Sequence, residues 1–195
     1  VIFMNNVKSN TLVKNIYNPP QLKKVKFCLR AFLHSNSPAY FNYGRQALFY
    51  ALKKLKINFG DKILMPSYIC RDVLSSINSI GASVVFYPVN QRLQLCLKKP
   101  LPLGAKAIIA VNYFGFPQDL ERFYDYCRNN SAYLIEDNCH GFLSCDVSGI
   151  PLGLRGDVGL FSFRKSIVVE KGAAAVFPNS QDHVQDNFEF EESVS

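Results

Sequence analysis

No apolar run in this 195-residue sequence is long enough to cross a membrane. The longest, AKAIIAV (105–111) and ASVVFYPV (82–89), are strand-length, well short of the ~18–20 residues a membrane helix needs. The first residues, VIFMNNVKSN, lack the basic, apolar and small-residue segments of a secretory leader, so a cytoplasmic location is expected. There is no CxxC pair and no Cys/His set with zinc spacing, so no metal is expected. The six cysteines (Cys28, Cys70, Cys96, Cys127, Cys139 and Cys145) are too scattered, in too long a chain, for a small disulfide scaffold. Reduced thiols are expected instead. Without a GxGxxG or P-loop pattern, dinucleotide and nucleotide-triphosphate sites have little support. The absence of GxSxG argues against a hydrolase serine. Aromatic residues are not interleaved with the basic runs QLKKVKF (21–27) and ALKKLK (51–56), so no nucleic-acid platform is expected.

What is present is apolar material for a sizeable core: 48% hydrophobic residues, with mean hydropathy near zero. The net charge of +7 fits solvated helix faces. It also fits attraction to an anionic partner, such as a phosphate-bearing substrate or a membrane surface.

The pattern divides the chain into an irregular N-terminal arm (1–40), a regular domain (41–180) and an acidic tail (181–195) expected to be mobile. In the middle region helical and strand patterns alternate. GRQALFYALKKLKI, from Gly44, carries apolar residues at helical spacing. KILMP (62–66) reads as a strand, SYICRDVLSSINSIG (67–81) as a helix and ASVVFYPV as a strand. Residues 90–104 read as a short strand or loop, AKAIIAV as a strand, DLERFYDYCRNN (119–130) as a helix and SAYLIED (131–137) as a strand. VGLFSF (158–163) and AAAVF (173–177) complete the set. The alternation predicts an α/β domain, a mostly parallel sheet flanked by helices. In such sheets function gathers at the carboxyl ends of strands.

Three segments carry candidate chemistry. In LIEDNCHGF (134–142) a strand delivers Glu136 and Asp137 to a loop, with His140 close behind. Such an acid is either a cap or surface turn, or an anion aimed into a cleft. In GLFSFRKS (159–166) a strand ends on Ser162, Arg164 and Lys165. That end is either solvated, or it presents an amine nucleophile able to form an imine with an aldehyde, with Ser162 as a phosphate donor. In NYGRQAL (42–48) Gly44 opens a helix whose free amides suit an anion. Cys139 beside His140 reads as a buried thiol, and Tyr113 and Phe114 as wall or core.

Taken in order, these segments resemble the DegT/DnrJ/EryC1/StrS family of pyridoxal-phosphate enzymes, within the type I aspartate-aminotransferase fold. GRQAL takes the place of the family's SGTAAL-like helix start, and FGDKILMPSYIC is similar to its "pGDEVIvPsfTf". GASVVFYPVN resembles "GatPvFvDvd", and AKAIIAVNYFGFPQDL resembles "tkAIipVHlyGqpaDm". YLIEDNCHGF resembles "pvIEDaaqahGa", and GDVGLFSFRKS resembles "GdigcFSFyptKnl". The likeness runs from about residue 42 to 177, and its strength lies in six motifs in register.

The resemblance implies the large, cofactor-binding domain of that fold, with pyridoxal 5′-phosphate as cofactor. Lys165 would hold it as a Schiff base and move the proton between substrate and cofactor. Asp137 would pair with the pyridine nitrogen, and His140 would lie near the ring hydroxyl. Ser162 and the amides around Gly44, Arg45 and Gln46 would bind the phosphate. The reaction would pass an amino group from glutamate or a similar donor to a keto-sugar, commonly nucleotide-linked, in a homodimer whose subunits share sites. The departures are specific. Lys165 follows the FSF motif after one residue rather than several, which leaves Lys171 as a fallback. Cys70 stands where relatives place a ring-stacking aromatic, and Arg45 replaces a small residue. The length implies that the family's smaller C-terminal domain is missing from this chain. A sugar dehydratase of the family is a rival that Lys165 opposes. A non-catalytic scaffold or dimerisation partner is another.

Overall fold

The computed structural model describes residue 32 and residues 38–96 and 100–178. The acidic tail, and the arm apart from residues 32 and 38–40, lie outside them. The described residues form one seven-stranded sheet in the order β1-β7-β6-β5-β4-β2-β3. Its strands are β1 (Ala39–Phe41), β2 (Lys62–Pro66), β3 (Ser83–Tyr87), β4 (Ala107–Val111), β5 (Tyr133–Asp137), β6 (Val158–Ser162) and β7 (Ala173–Val176). The five strands from β2 to β6 pair in parallel. The remaining pairs, β7 with β6 and β1 with β7, are antiparallel. The sheet is therefore mostly parallel, with an antiparallel margin.

Helix α1 (Gly44–Lys54), α2 (Arg71–Asn78) and α3 (Glu121–Asn130) cover the sheet. Side chains alternate across the strands and sort into layers. Ile63, Met65, Ile109, Ile135 and Leu160 pack with Leu48 and Leu52 of α1 and Ile77 of α2. Leu64, Ile108 and Leu134 face the other way and pack with Phe123 and Tyr126 of α3. A third cluster joins Phe32, Phe142 and Phe161, with Phe32 edge-on to both rings at 5.1 and 5.0 Å. Strands buried on both faces read as continuous apolar runs, as β4 does with all five residues buried.

Differences from the pattern reading are local. β1 lies in the segment read as irregular; three residues paired to β7 carry too little periodicity to announce a strand. α2 begins at Arg71 rather than residue 67, because Cys70 is extended (φ −65°, ψ 137°). Ser67 also still donates to the Tyr87 carbonyl (2.9 Å), continuing the strand pairing. Residues 89–95 close on an isolated bridge between Val89 and Leu95. Gly159, in β6, has no alternative residue: a Cβ there would lie 1.7 Å from the Gly153 carbonyl oxygen.

Candidate active site

The carboxyl ends of β2, β4, β5 and β6 open into one cavity of about 440 Å³, with the N-terminus of α1 on its wall. That size is ordinary for a small-molecule site (~300–1,000 Å³). The place is the one an α/β sheet dictates. β2 lies between β3 and β4, so the chain reverses its direction of travel across the sheet here and leaves a crevice.

Each parallel strand delivers its residues by parity. On β5, Ile135 faces the α1 layer, so Asp137, two residues on, faces it too and reaches the cavity at the strand's end. One Asp137 carboxylate oxygen accepts the Cys139 N–H at 3.0 Å. On β6, Leu160 faces the same layer and Ser162 follows, 3% exposed. The Ser162 hydroxyl borders the cavity and has no hydrogen-bond partner among the described residues. A 3-10 turn over Phe163–Lys165 then places the exposed side chains of Arg164 and Lys165 on the cavity wall.

At the start of α1, Gly44 and Arg45 border the cavity. Their amides donate to no backbone carbonyl among the described residues, as expected of a helix's first turn. The Arg45 guanidinium lies 4.7 Å over the Tyr43 ring. Gln46 is different. Its amide donates to the Tyr43 carbonyl (3.0 Å) and its side-chain oxygen accepts the Tyr43 N–H (3.0 Å). It closes the helix start and does not border the cavity. Lys171 is exposed and also stays outside the cavity.

Charge and burial then set protonation states. Burial lowers the His140 pKa, and the Lys165 cation lowers it further against a smaller opposing pull from Asp137. The His140 ring is stacked on Phe114 (centroids 5.7 Å apart, 19° between planes), and its Nδ1 accepts a long contact from the Phe114 amide (3.5 Å). Burial pushes the Cys139 thiol far up, and the Asp137 carboxylate beside it pushes the same way, against Lys165 and Arg164. Cys139 is thus an inert thiol that backs the start of α1; a Cβ on Gly44 would lie 3.4 Å from its sulfur. Burial, with Asp137 adding to it, raises Tyr113 well above its ordinary value. The neutral Tyr113 hydroxyl donates to the Tyr68 carbonyl. Cys70 is exposed on the cavity wall as the N-cap of α2, and a tilted Tyr68–Tyr113 pair stands nearby at 5.8 Å.

The pattern reading put Glu136 and Asp137 at the end of a strand, and they do end β5, but they point to opposite faces. Glu136 is 0% exposed. It accepts from Arg155 Nε (2.9 Å), a terminal Arg155 nitrogen (2.6 Å), the Arg155 amide (2.9 Å) and Asn112 Nδ2 (2.8 Å). Arg155 also reaches Asp146 at 3.5 Å and the Asn112 side-chain oxygen at 3.2 Å. Sequence reasoning missed Arg155. The available signal was an acid inside an apolar strand, which requires a cation or a proton.

Among the described residues, no group of three or more His, Cys, Asp or Glu is arranged to hold a metal ion. Likewise, no helix among them is long and apolar enough to cross a membrane. A model of the DegT/DnrJ/EryC1/StrS aminotransferase family matches residues 5–186. The chain belongs to this family. It is 29% identical over 147 residues to a GDP-perosamine synthase of Vibrio cholerae, covering 73% of this chain and 40% of that protein. It is 30% identical over 142 residues to a dTDP-4-dehydro-2,3,6-trideoxy-D-glucose 4-aminotransferase of Saccharopolyspora spinosa, covering 71% of this chain and 37% of that one. The chain thus spans about two fifths of the length of these curated relatives. The aminotransferase TlmJ from Streptoalloteichus hindustanus shares the fold: its structure superposes with a TM-score of 0.67 at 24% identity, over 82% of this chain and 45% of that chain. The α/β domain of this DegT-family chain is accordingly an aminotransferase large-domain fold.

Proposed function

We propose that this chain carries the cofactor-binding core of a pyridoxal-phosphate-dependent aminotransferase. It would move an amino group from glutamate or a similar donor to a keto-sugar, nucleotide-linked as in the relatives' names. One observation carries the reading. A carboxylate (Asp137), a hydroxyl near a helix N-terminus (Ser162) and a lysine amine (Lys165) line one cavity.

The residues suit the cofactor's three handles. The Asp137 carboxylate suits a protonated ring nitrogen. The Ser162 hydroxyl and the free Gly44 and Arg45 amides suit a phosphate, and the Arg45 guanidinium adds charge there. The Lys165 amine suits the aldehyde carbon, and Lys165 rather than Lys171 borders the cavity. When bound, pyridoxal phosphate supplies the electron sink for exchange between amine and carbonyl.

The rest belongs to the chain. Asp137, its carboxylate oriented by the Cys139 amide, would hold a positive charge at the ring nitrogen. Lys165 Nζ would take the proton from the donor's Cα and pass it to the former aldehyde carbon within the same half-reaction, and would run the same relay in reverse on the acceptor. His140, its pKa lowered by burial and by Lys165, lines the cavity and would offer a neutral ring nitrogen near the cofactor's ring hydroxyl. Phe114 on the cavity wall, and Phe116 and Val168 elsewhere on the surface, are exposed apolar side chains, which supports a homodimer. The five described cysteines are unpaired, which supports a cytoplasmic setting.

Titrating the chain with pyridoxal phosphate tests the proposal. A visible band from lysine-bound cofactor is expected, converting to the amine form when L-glutamate is added. The Asp137→Asn chain should lose that conversion. A wild-type chain that develops no band contradicts the reading.

A further inference from the structure

We propose that Arg164 grips the α-carboxylate of the amino donor and so fixes the donor beside the Lys165 amine. The inference rests on the aminotransferase reading above and goes beyond it in naming a residue that selects the donor.

A charge inventory of the cavity leads to it. Three cationic side chains border the space (Arg45, Arg164 and Lys165), and two acidic ones do (Asp72 and Asp137). The bound cofactor has a use for all but one cation. Its phosphate belongs at the start of α1, where Arg45 and two free amides lie. Its ring nitrogen belongs at Asp137, and its aldehyde carbon at Lys165. Asp72 sits in the first turn of α2, where the helix dipole favours an acid. Arg164 is left over. It joins no ion pair among the described residues. Its guanidinium remains charged at any working pH and presents a planar fork that matches a carboxylate.

Reach identifies which anion. Arg164 precedes Lys165 on the same 3-10 turn, with consecutive Cα atoms ~3.8 Å apart, and both side chains border the one cavity. The charge of Arg164 is felt at the cavity floor, where it acts on the Cys139 thiol together with Lys165. An anion held here shares the cavity wall with Lys165, within side-chain reach of the carbon on which Lys165 would act. An α-carboxylate is one bond from that carbon. The diphosphate of a nucleotide-linked sugar is separated from the reacting carbonyl by most of a sugar ring. The donor's carboxylate fits, and the acceptor's phosphates do not.

The test compares L-glutamate with 4-aminobutanoate, which is glutamate without its α-carboxylate. The chain is first loaded with pyridoxal phosphate, and the dissociation constant of each amine is read from the change in the cofactor's absorbance. Wild type should bind glutamate more tightly. Arg164→Gln should load cofactor as wild type does, and weaken glutamate by roughly ten- to a hundred-fold, the range for a lost charge-assisted hydrogen bond. It should leave 4-aminobutanoate within about two-fold, and Arg164→Lys should restore part of the difference. Equal weakening of both amines, or none, overturns the inference while the aminotransferase reading stands. A loss confined to a phosphate-bearing acceptor also overturns it and moves Arg164 to the other substrate. A wild-type chain that fails to load cofactor removes the aminotransferase reading, and the inference with it.

Discussion

Glu136 and Asp137 are neighbours on one strand and live in opposite worlds. Glu136 faces the α3 side of the sheet. It is sealed from water and holds four hydrogen bonds, three of them from Arg155. Asp137 faces the cavity, and its carboxylate is met by the amide and the thiol of Cys139. The saturated side has no capacity left for a ligand. The open side borders two guanidinium groups and an amine that have no ion-pair partner among the described residues. Glu136 is saturated because a fully buried charge without partners is costly, whereas the cavity-side charges reach solvent and keep capacity for a ligand. The sealed side also serves the open one. Arg155 ties β5 to Asn112 at the end of β4, to the Gln118 carbonyl and to Asp146, and these loops carry Tyr113, Phe114 and His140.

The comparison breaks most visibly at Glu136. Replacing Glu136 with Ala leaves the buried Arg155 with only the longer Asp146 pair as its counter-charge, and should cost about 3–5 kcal/mol in a denaturant titration. Asp137→Asn should change stability by less than ~1 kcal/mol, as expected of a half-buried group outside the packed core, while abolishing the response to amino donor. Equal destabilisation by the two would erase the distinction.

A second way to sharpen it uses β6, which bridges both sides. Gly159→Ala forces a methyl against the Gly153 carbonyl and should cost about 1–3 kcal/mol or more in the same titration, the range for overpacking. Gly44→Ala, at the cavity rim, meets only ordinary van der Waals contact with Cys139 and should be mild by comparison.

The smallest effect is in the pH response. The His140 pKa is lowered by burial first and by Lys165 second. The folded state therefore binds fewer protons at this site than the unfolded chain does. The neutral ring's contribution is present above the unfolded value of ~6.5, and it is lost as pH falls below that value toward the folded one. An NMR titration of the His140 ring should give a midpoint below the ordinary value. Lys165→Ala should raise that midpoint part of the way only, since burial is the larger cause. A full return to the ordinary value would show that charge, not burial, governs the site.

Much of this arrangement is readable in the sequence. The strands β2 to β6 are near-continuous apolar runs, so their order and the placing of Asp137 and Ser162 at strand ends follow from patterning. Lys165 follows from its position after the last parallel strand, and Gly44 from opening a helix. The unread parts share a physical cause: they are long-range partnerships that no local pattern encodes. Arg155 lies 19 residues from Glu136 and its segment has no periodicity. β1 is defined only by its pairing with β7. Gln46 looks like an anion-binding position from its place in the first turn, and only the folded helix start shows that both its amide and its side chain already serve Tyr43. The resemblance leads one to expect an aromatic at Cys70, whereas a Tyr68–Tyr113 ring pair stands on the same cavity wall, a pairing that sequence spacing alone does not bring together.

The central claim is that Lys165 is the covalent anchor. The direct measurement is to load the chain with pyridoxal phosphate, fix the linkage with borohydride and map the modified peptide by mass spectrometry. The account predicts one dominant label on Lys165, absent from the Lys165→Ala chain. A label on Lys171, or one spread evenly over surface lysines, would contradict it.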